Sequence, residues 1–524
     1  MIARKSFLIL ISTFTARFFG WVYLFVLAKL WGDFTPKAIG VLGFAISFIE
    51  LFNIISDLGF NAAHVKRISE GKELGSCIAT FAVIKIILTS LMVIIFLTIK
   101  TIFSIKFFDA TTESVIIILL LYYVFLDLYQ IAYFTFEGRK EIAKRELMTI
   151  MQSVKTPLII IIGFAGVSSE GIKSLIEWPE FLQPLKIYLS LHTYGSLAMA
   201  YLFSSITIFL IGFWLLRRYP LKKPNWGLFK GYIGFALPTV LLSAMHILST
   251  NVDKVMIGYF WTSTEVGYYF SVQQFFQMII IFSGSIGIVL FPTISEFHSK
   301  NDFSKIKKTI HLAERYMSLI ITPIVVVVVI FSSQIINIML NSSFLPASTV
   351  LSLLTIYAFI ASLMTPYYSL IKGCNKPIIV TIIGSIMFST NVILNYFLIP
   401  RWGFLSSLGI YAHTAAGFAT IFSGLLGLIG YRLVAKRYTG IKILQRYMPC
   451  HLLAGLIMAG VLYLLNYLIA LTRWYHLIIF SGCGLLVYLG VLYLLREFKK
   501  EDLNFFLSLF HIGDMISYIK SELK

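Results

Sequence analysis

The chain has 524 residues, 58% of them hydrophobic and only 13% charged, with a mean hydropathy of +0.86. That balance excludes a water-soluble globular domain and marks a membrane protein. The formal charge of +19 does not point to nucleic acid, because Lys and Arg sit in short loops between apolar runs, where they set topology in a bilayer.

Apolar runs of about twenty residues recur to the end of the chain, which by span length gives about fourteen membrane helices. Six begin near Ser6, Lys37, Ser76, Ser114, Leu147 and Leu191. Six more begin near Tyr232, Thr264, Leu312, Leu345, Pro377 and Leu408, and a final pair near Met448 and Tyr475. The first run is too long for the apolar part of a cleavable signal and reads as the first span. With the N-terminus inside, cytoplasmic loops collect about thirty Lys and Arg, against about eight outside. The basic loops include Lys66, Arg67 and Lys72; Arg139, Lys140, Lys144 and Arg145; Arg217, Arg218, Lys222 and Lys223; and Arg432, Lys436 and Arg437. Both termini are therefore expected in the cytoplasm, with the protein in the cytoplasmic (inner) membrane. Outer loops are short except from Ser169 to Leu189, where Trp178, three glutamates and two prolines suggest a surface helix. Beyond Arg496, Phe505, Phe506, Phe510 and Ile516 alternate with charges, a pattern that suits the inner interface or solvent equally.

The chain also repeats itself. TPKAIGVLGFA from Thr35 aligns with TSTEVGYYFSV from Thr262 around Gly40 and Gly267, and ISE recurs at Ile68 to Glu70 and Ile294 to Glu296. Six spans separate the copies, so equivalent helices enter the membrane the same way round. This implies two six-helix bundles related by an axis along the membrane normal. The expected fold is all-α, with residues 1–218 and 219–437 as two six-helix lobes, 438–496 as a C-terminal helix pair and 497–524 as a cytoplasmic tail.

Ionisable side chains inside the spans carry the functional signal. Arg17, Glu50, Asp57, Lys85, Asp127 and Lys155 would each cost roughly 2.5–3.5 kcal/mol at the centre of a lipid-facing helix. They must pair with one another or face a wet cavity. Glu50, Asn53 and Asp57 share one helix face, and Tyr123, Asp127, Gln130 and Glu137 another. The second lobe is polar but little charged: Ser243, His246, Thr250 and Asp253 share a face, with Gln273, Gln277, Asn391, Asn395 and His413 on later spans. Asp253 and Lys254 suit a local pair. Amides and hydroxyls also join membrane helices simply as glue. Pro157, Pro238, Pro323 and Pro366 interrupt spans and suit bending points. Gly424, Gly427 and Gly430 lie within one span and suit close helix packing rather than nucleotide binding. No P-loop run exists, which argues against direct ATP hydrolysis. Four cysteines, Cys77, Cys374, Cys450 and Cys483, have neither the spacing of a metal site nor that of a disulfide framework.

Three segments resemble the polysaccharide-exporter (Wzx-type) branch of the superfamily that also holds multidrug exporters (MATE) and the lipid II flippase. They are NVDKVMIGYFWTSTEVGYY from Asn251, after FALPTVL at Phe235; NVILNYFLIPRWG from Asn391, followed by AHTAAGFAT at Ala412; and SDLGFNAAHVKRISEGK from Ser56. Phe404 stands where the family has a small residue after IP-x-x-G, so that outer turn is atypical. The resemblance implies two lobes around a central cavity and a non-enzymatic flippase. Such a protein moves an undecaprenyl-pyrophosphate-linked glycan from the inner to the outer leaflet by alternating access.

On that reading Arg17, Lys85, Lys155 and Asn395 bind the cargo, Arg bidentately and Lys as a point charge. Glu50, Asp127 and Asp57 would couple transport to H+ or Na+, without a resident cofactor or metal. His246, Asp253, Gln273, Asn391 and His413 are further candidates. The expected partners are the polyprenyl-linked glycan, the lipid bilayer and polymerase or assembly proteins, and not nucleic acid. The competing structural reading has Glu50 or Asp127 merely neutralising Lys85 or Lys155. A multidrug or cation exporter would predict about twelve helices and an acid-governed cavity. A lipid II flippase shares the architecture, and a membrane glycosyltransferase or polymerase would show an acidic cluster in a large outer loop.

Overall fold

The computed structural model describes residues 2–102, 110–441, 445, 447–469, 471, 473–499 and 502. Among them are helices and turns and no strand beyond a single bridge between Val167 and Ile172. The first part runs α1 (Ile2–Trp31), α2 (Phe34–Asp57), α3 (Phe60–Ser69), α4 (Leu74–Ile102), α5 (Ala110–Gly138), α6 (Ile142–Met151), α7 (Lys155–Ala165), α8 (Gln183–Leu191) and α9 (Thr193–Leu216). The second runs α10 (Trp226–Phe260), α11 (Ser263–Ser299), α12 (Phe303–Ile330), α13 (Ser332–Met339), α14 (Ala347–Gly373), α15 (Pro377–Leu398), α16 (Phe404–Ser407) and α17 (Ala412–Thr439). A last pair, α18 (Tyr447–Leu468) and α19 (Trp474–Leu494), follows.

Among the described residues, twelve helical stretches are long and apolar enough to cross a membrane. Helices α10 and α11, with 35 and 37 residues, are longer than any of them. Each apolar run in the sequence coincides with one long helix. The largest offset is at α12, which starts at Phe303 rather than Leu312. Its first turns carry Lys305, Lys307 and Lys308 and so fall outside the apolar run, while the Asp302 side chain caps the Lys305 N–H at 3.0 Å. The fifth span is split into α6 and α7 by a 3₁₀ turn at Gln152–Val154. Pro157 explains the break, since its ring has no N–H and crowds the carbonyl four residues back. Helices α12 and α14 run unbroken through Pro323 and Pro366, so proline alone does not interrupt them. Of the surface helix expected between Ser169 and Leu189, the structure has two 3₁₀ turns and α8. The tail residues Phe505, Phe506, Phe510 and Ile516 lie outside the described residues.

The internal repeat has a physical counterpart where α2 crosses α11. A Cβ on Gly40 would stand 1.6 Å from the Ser263 carbonyl oxygen, and one on Gly267 would stand 1.9 Å from that of Pro36. Ser263 and Pro36 occupy the same position of the two repeats. The contact is therefore reciprocal, as an interface across a two-fold axis must be. The ISE segments repeat the pattern at the other membrane face. Ile68 packs on Gly138 at the end of α5, and Ile294 on Gly373 at the end of α14, each within 3 Å of where a glycine Cβ would sit. Both helix ends are then closed by a left-handed residue two positions on, Lys140 (φ 61°) and Asn375 (φ 59°). Gly424 and Gly427 of α17 admit Tyr357 of α14 and Met387 of α15, the close packing expected of that glycine run.

Outside the repeat, α18 lies against α12. Glu314, fully buried, accepts from Tyr367 (2.6 Å), Tyr447 (2.5 Å) and Arg432, which ties α12, α14, α17 and α18 together. After α19 the chain returns to α12, where Arg315 grips Asp502 with two bonds of 2.8 Å and Glu497 with one of 2.6 Å.

Gly267→Leu is expected to lower the stability of the detergent-purified protein by about 1–3 kcal/mol or more, because the new side chain overlaps backbone. Gly460→Ala on α18, where a Cβ meets nothing within 4 Å, is the control and should leave the thermal unfolding midpoint unchanged.

Candidate functional site

A cavity of about 1030 Å³ is walled by α10, α11, α14, α15 and α17, with Arg17 of α1 reaching in from the first part of the chain. Helix α11 supplies a continuous stripe of Tyr269, Gln273, Phe276, Ile280, Gly284, Gly287 and Phe291. Steps of four or three residues keep these on one helix face. Gly284 leaves the wall open, since a Cβ there would touch nothing within 4 Å.

One end of the cavity is closed and polar. Asp253 accepts from Tyr269 Oη (2.6 Å), Asn395 Nδ2 (2.6 Å) and Thr420 Oγ1 (3.3 Å), and Asn395 also donates to Asn391 Oδ1 at 3.1 Å. The Asn395 Oδ1 is buried without a hydrogen-bond partner. Lys254 donates to Gln273 Oε1 (3.0 Å) and lies over Phe270, so the two neighbours Asp253 and Lys254 are satisfied by other groups instead of pairing locally. The opposite end is exposed: Phe291 and Tyr368 are 44% and 40% accessible, and Lys372 lies beside them. At mid-depth Arg17 donates to Gln277 of α11.

The six ionisable groups divide sharply. Lys85 and Asp127 are both fully buried, 3.9 Å apart. Lys85 also donates to Gln130 Oε1 (2.7 Å) and the Ser56 carbonyl (3.1 Å), and Asp127 accepts from Ser56 Oγ (2.9 Å) and Thr89 Oγ1 (3.4 Å). The polar stripes of α2 and α5 face each other and zip together. Tyr123 reaches Glu50 at 3.4 Å, and Asn61 of α3 reaches Gln130 at 3.0 Å. Asp57 accepts from the Asn61 N–H at 3.2 Å, as a helix-end cap. Lys85 thus fills a dry seam and does not line the cavity; it follows the neutralisation reading, with Asp127 as its partner. Lys155 lies over the Tyr201 ring at 4.4 Å, close enough to Arg17 for their charges to interact. Among the described residues neither Arg17 nor Lys155 has a carboxylate within ion-pair distance.

The other candidates scatter. Asp253, Gln273 and Asn391 line the cavity, while Asn395 sits behind them, fully buried. His413 is also buried away from it, between Glu265 (2.5 Å) and the Pro346 carbonyl (3.0 Å). The side chains of His246 and Ser243 lie outside the described residues. Sequence reasoning missed Tyr357, Thr420 and Lys372 as cavity residues. The aromatic-and-glycine stripe of α11 could have been read from its spacing, whereas Lys372 looks like any topology-setting lysine at a helix end. Among the described residues no group of three or more His, Cys, Asp or Glu could hold a metal.

Residues 2–174 match a family model described as polysaccharide biosynthesis protein, and residues 183–349 match a second model with the same description. Over 505 residues the chain is 23% identical to the probable low-salt glycan biosynthesis flippase Agl15 of Haloferax volcanii, spanning 95% of this chain and 97% of that one. The fold is similar to that of the lipid II flippase MurJ in an inward closed conformation, with a TM-score of 0.70 at 18% identity, covering 92% of this chain and 97% of MurJ. It is also similar to an inward-facing multidrug resistance MATE transporter of the MOP superfamily, with a TM-score of 0.61 at 14% identity over 80% and 95% of the two chains.

Lys85→Met and Asp127→Asn should each destabilise the protein by about 3–5 kcal/mol, because each leaves a buried group uncompensated. The double variant should recover most of the loss in thermal unfolding. Full additivity of the two losses would show that the groups are not a pair.

Proposed function

From its matches to two polysaccharide-biosynthesis family models and its similarity to a glycan biosynthesis flippase, we propose that this chain flips a polyprenyl-pyrophosphate-linked oligosaccharide from the inner to the outer leaflet. The observation that carries this reading is a pair of cations on the packed helices α1 and α7, Arg17 bonded to Gln277 and Lys155 over the Tyr201 ring, neither with a carboxylate partner among the described residues. Two uncompensated like charges at membrane depth are costly unless an anion joins them. A pyrophosphate suits the gap between the lobes, and Arg17 presents a fork of donors matched to it. The cavity beyond, about 1030 Å³ with aromatic walls and amides at Gln273, Gln277 and Asn391, is of a size and polarity to receive sugars.

Translocation proceeds by rocking of the two lobes, which parts and re-forms the α2–α11 crossing. The lobes are residues 1–218 and 219–437, with α10 and α11 as the first two spans of the second, which makes fourteen spans in all. Positive-inside loops put both termini in the cytoplasm of an inner membrane. The cavity's exposed end, at Lys372, then faces the cytoplasm.

Coupling to H+ or Na+ falls to Asp253. Its carboxylate, the unpartnered Asn395 Oδ1, Asn391 Oδ1 and Thr420 Oγ1 gather oxygen acceptors at the closed end of the cavity. Oxygen-only sets of this kind suit hard cations. Asp127 is occupied by Lys85, which leaves Glu50 and Asp57 as lesser contributors. Polymerase or assembly partners remain part of the expected setting.

In proteoliposomes, Arg17→Ala is expected to slow glycolipid translocation by more than about tenfold, the loss of at least one charge-assisted contact worth about 1.4 kcal/mol. Its unfolding midpoint should be unchanged, and an unchanged rate would remove Arg17 from the pathway. Asp253→Asn should abolish the response to an imposed sodium or proton gradient while leaving glycolipid binding intact; a variant that still responds to both gradients would exclude Asp253 as the coupling group.

A further inference from the structure

We infer that Lys372 is a second anion-binding station for the cargo, at the mouth of the cavity. This rests on the flippase reading and deepens it. Most basic residues at helix ends in this chain serve topology, but Lys372 bends back over two cavity-lining rings. Its Nζ lies 4.9 Å from the centre of Tyr368 and 5.6 Å from that of Phe291, and it donates to Tyr368 Oη at 3.2 Å. Among the described residues no carboxylate lies within ion-pair distance of it. Among the described residues the one acid in the cavity wall is Asp253, at the opposite, closed end, already satisfied by three donors.

The separation from Arg17 decides what the station does. Arg17 is bonded to Gln277 and Lys372 lies over Phe291, both on α11. Fourteen residues separate these two positions, about 21 Å along the helix at its ordinary rise. The two phosphorus atoms of a pyrophosphate share one bridging oxygen, so a single pyrophosphate cannot touch both cations. Lys372 therefore meets an anionic group at a different place or a different moment from Arg17. That group is either the pyrophosphate on its way in or an acidic sugar at the far end of the glycan. Both present oxygens to the same ammonium, with Tyr368 Oη beside it as a further donor.

The test uses the full chain in lipid nanodiscs and two probes: a polyprenyl pyrophosphate carrying a neutral oligosaccharide, and the same lipid carrying an oligosaccharide that ends in a uronic acid. Lys372→Gln is expected to weaken binding of at least one probe by about tenfold, the loss of one charge-assisted contact, and Lys372→Arg to retain it. Equal loss on both probes identifies the pyrophosphate as the group bound; loss confined to the uronate probe identifies the sugar acid. Lys372→Glu, which keeps a charged helix end, should bind more weakly still and guards against a folding defect in the Gln variant. Unchanged affinity of both probes in Lys372→Gln overturns the station while leaving the flippase reading in place. Failure of the unaltered protein to bind either probe overturns both.

Discussion

Two glycines hold the molecule's geometry. Gly40 and Gly267 let α2 and α11 cross so closely that any side chain at either position would overlap the other helix's carbonyl. In a bilayer the hydrophobic effect does not draw helices together, because lipid tails are as apolar as leucine, so close packing must supply the attraction. The contact is reciprocal, since Gly40 meets Ser263 and Gly267 meets Pro36, the equivalent position of the other repeat. Because the crossing lies at the start of both helices, it shuts one end of the molecule. The flanking groups add to the seal: the Asn341 amide donates to the Ala28 carbonyl at 2.6 Å, and Phe344, Ala347 and His413 are essentially inaccessible. From there α11 descends along the cavity wall to Phe291.

The charges follow from that arrangement. Breaking a buried ion pair is far more costly than its formation is favourable. Lys85 and Asp127 obey this logic: dry, hydrogen-bonded on several sides and locked between α4 and α5, they hold the first lobe together. Arg17 does not. It reaches Gln277 of α11 and has no carboxylate within ion-pair distance among the described residues, which suits the anion-receiving role proposed for it. Asp253 stands between the two cases, since it is satisfied by neutral donors on three helices and still faces the cavity. The proposed site thus takes the groups left unanswered, Arg17 and the buried Asn395 Oδ1, while Lys85 and Asp127 answer each other.

Hydrophobic run length made the helices legible, because a membrane span has no alternative way to satisfy its backbone. The same two glycines that aligned the repeated segments lie at the crossing where α2 and α11 pack backbone to backbone. Intramembrane charge, read alone, did not separate glue from pathway. Glu50, Asn53 and Asp57 looked like one wet face, and Asp127 with Gln130 like another; the structure turns these faces toward each other. A sequence gives the face on which a residue lies but not which faces meet. For the same reason the intramembrane charges did not locate the cavity, which lies among α10, α11, α14, α15 and α17. Its lining is mainly aromatic, amide and glycine, residues that are equally at home in helix packing.

On the proposed mechanism the α2–α11 crossing opens and closes during transport while the helices on either side of it move as intact bundles. This motion is tested most directly by cysteines at Lys37 and Thr264, beside the crossing, in a protein whose four native cysteines have been replaced. Joined by a short bismaleimide, the protein should still bind glycolipid through the open end but should not translocate it, and a cleavable linker should restore transport when cut. Translocation at the full rate with the crossing covalently held would contradict the account.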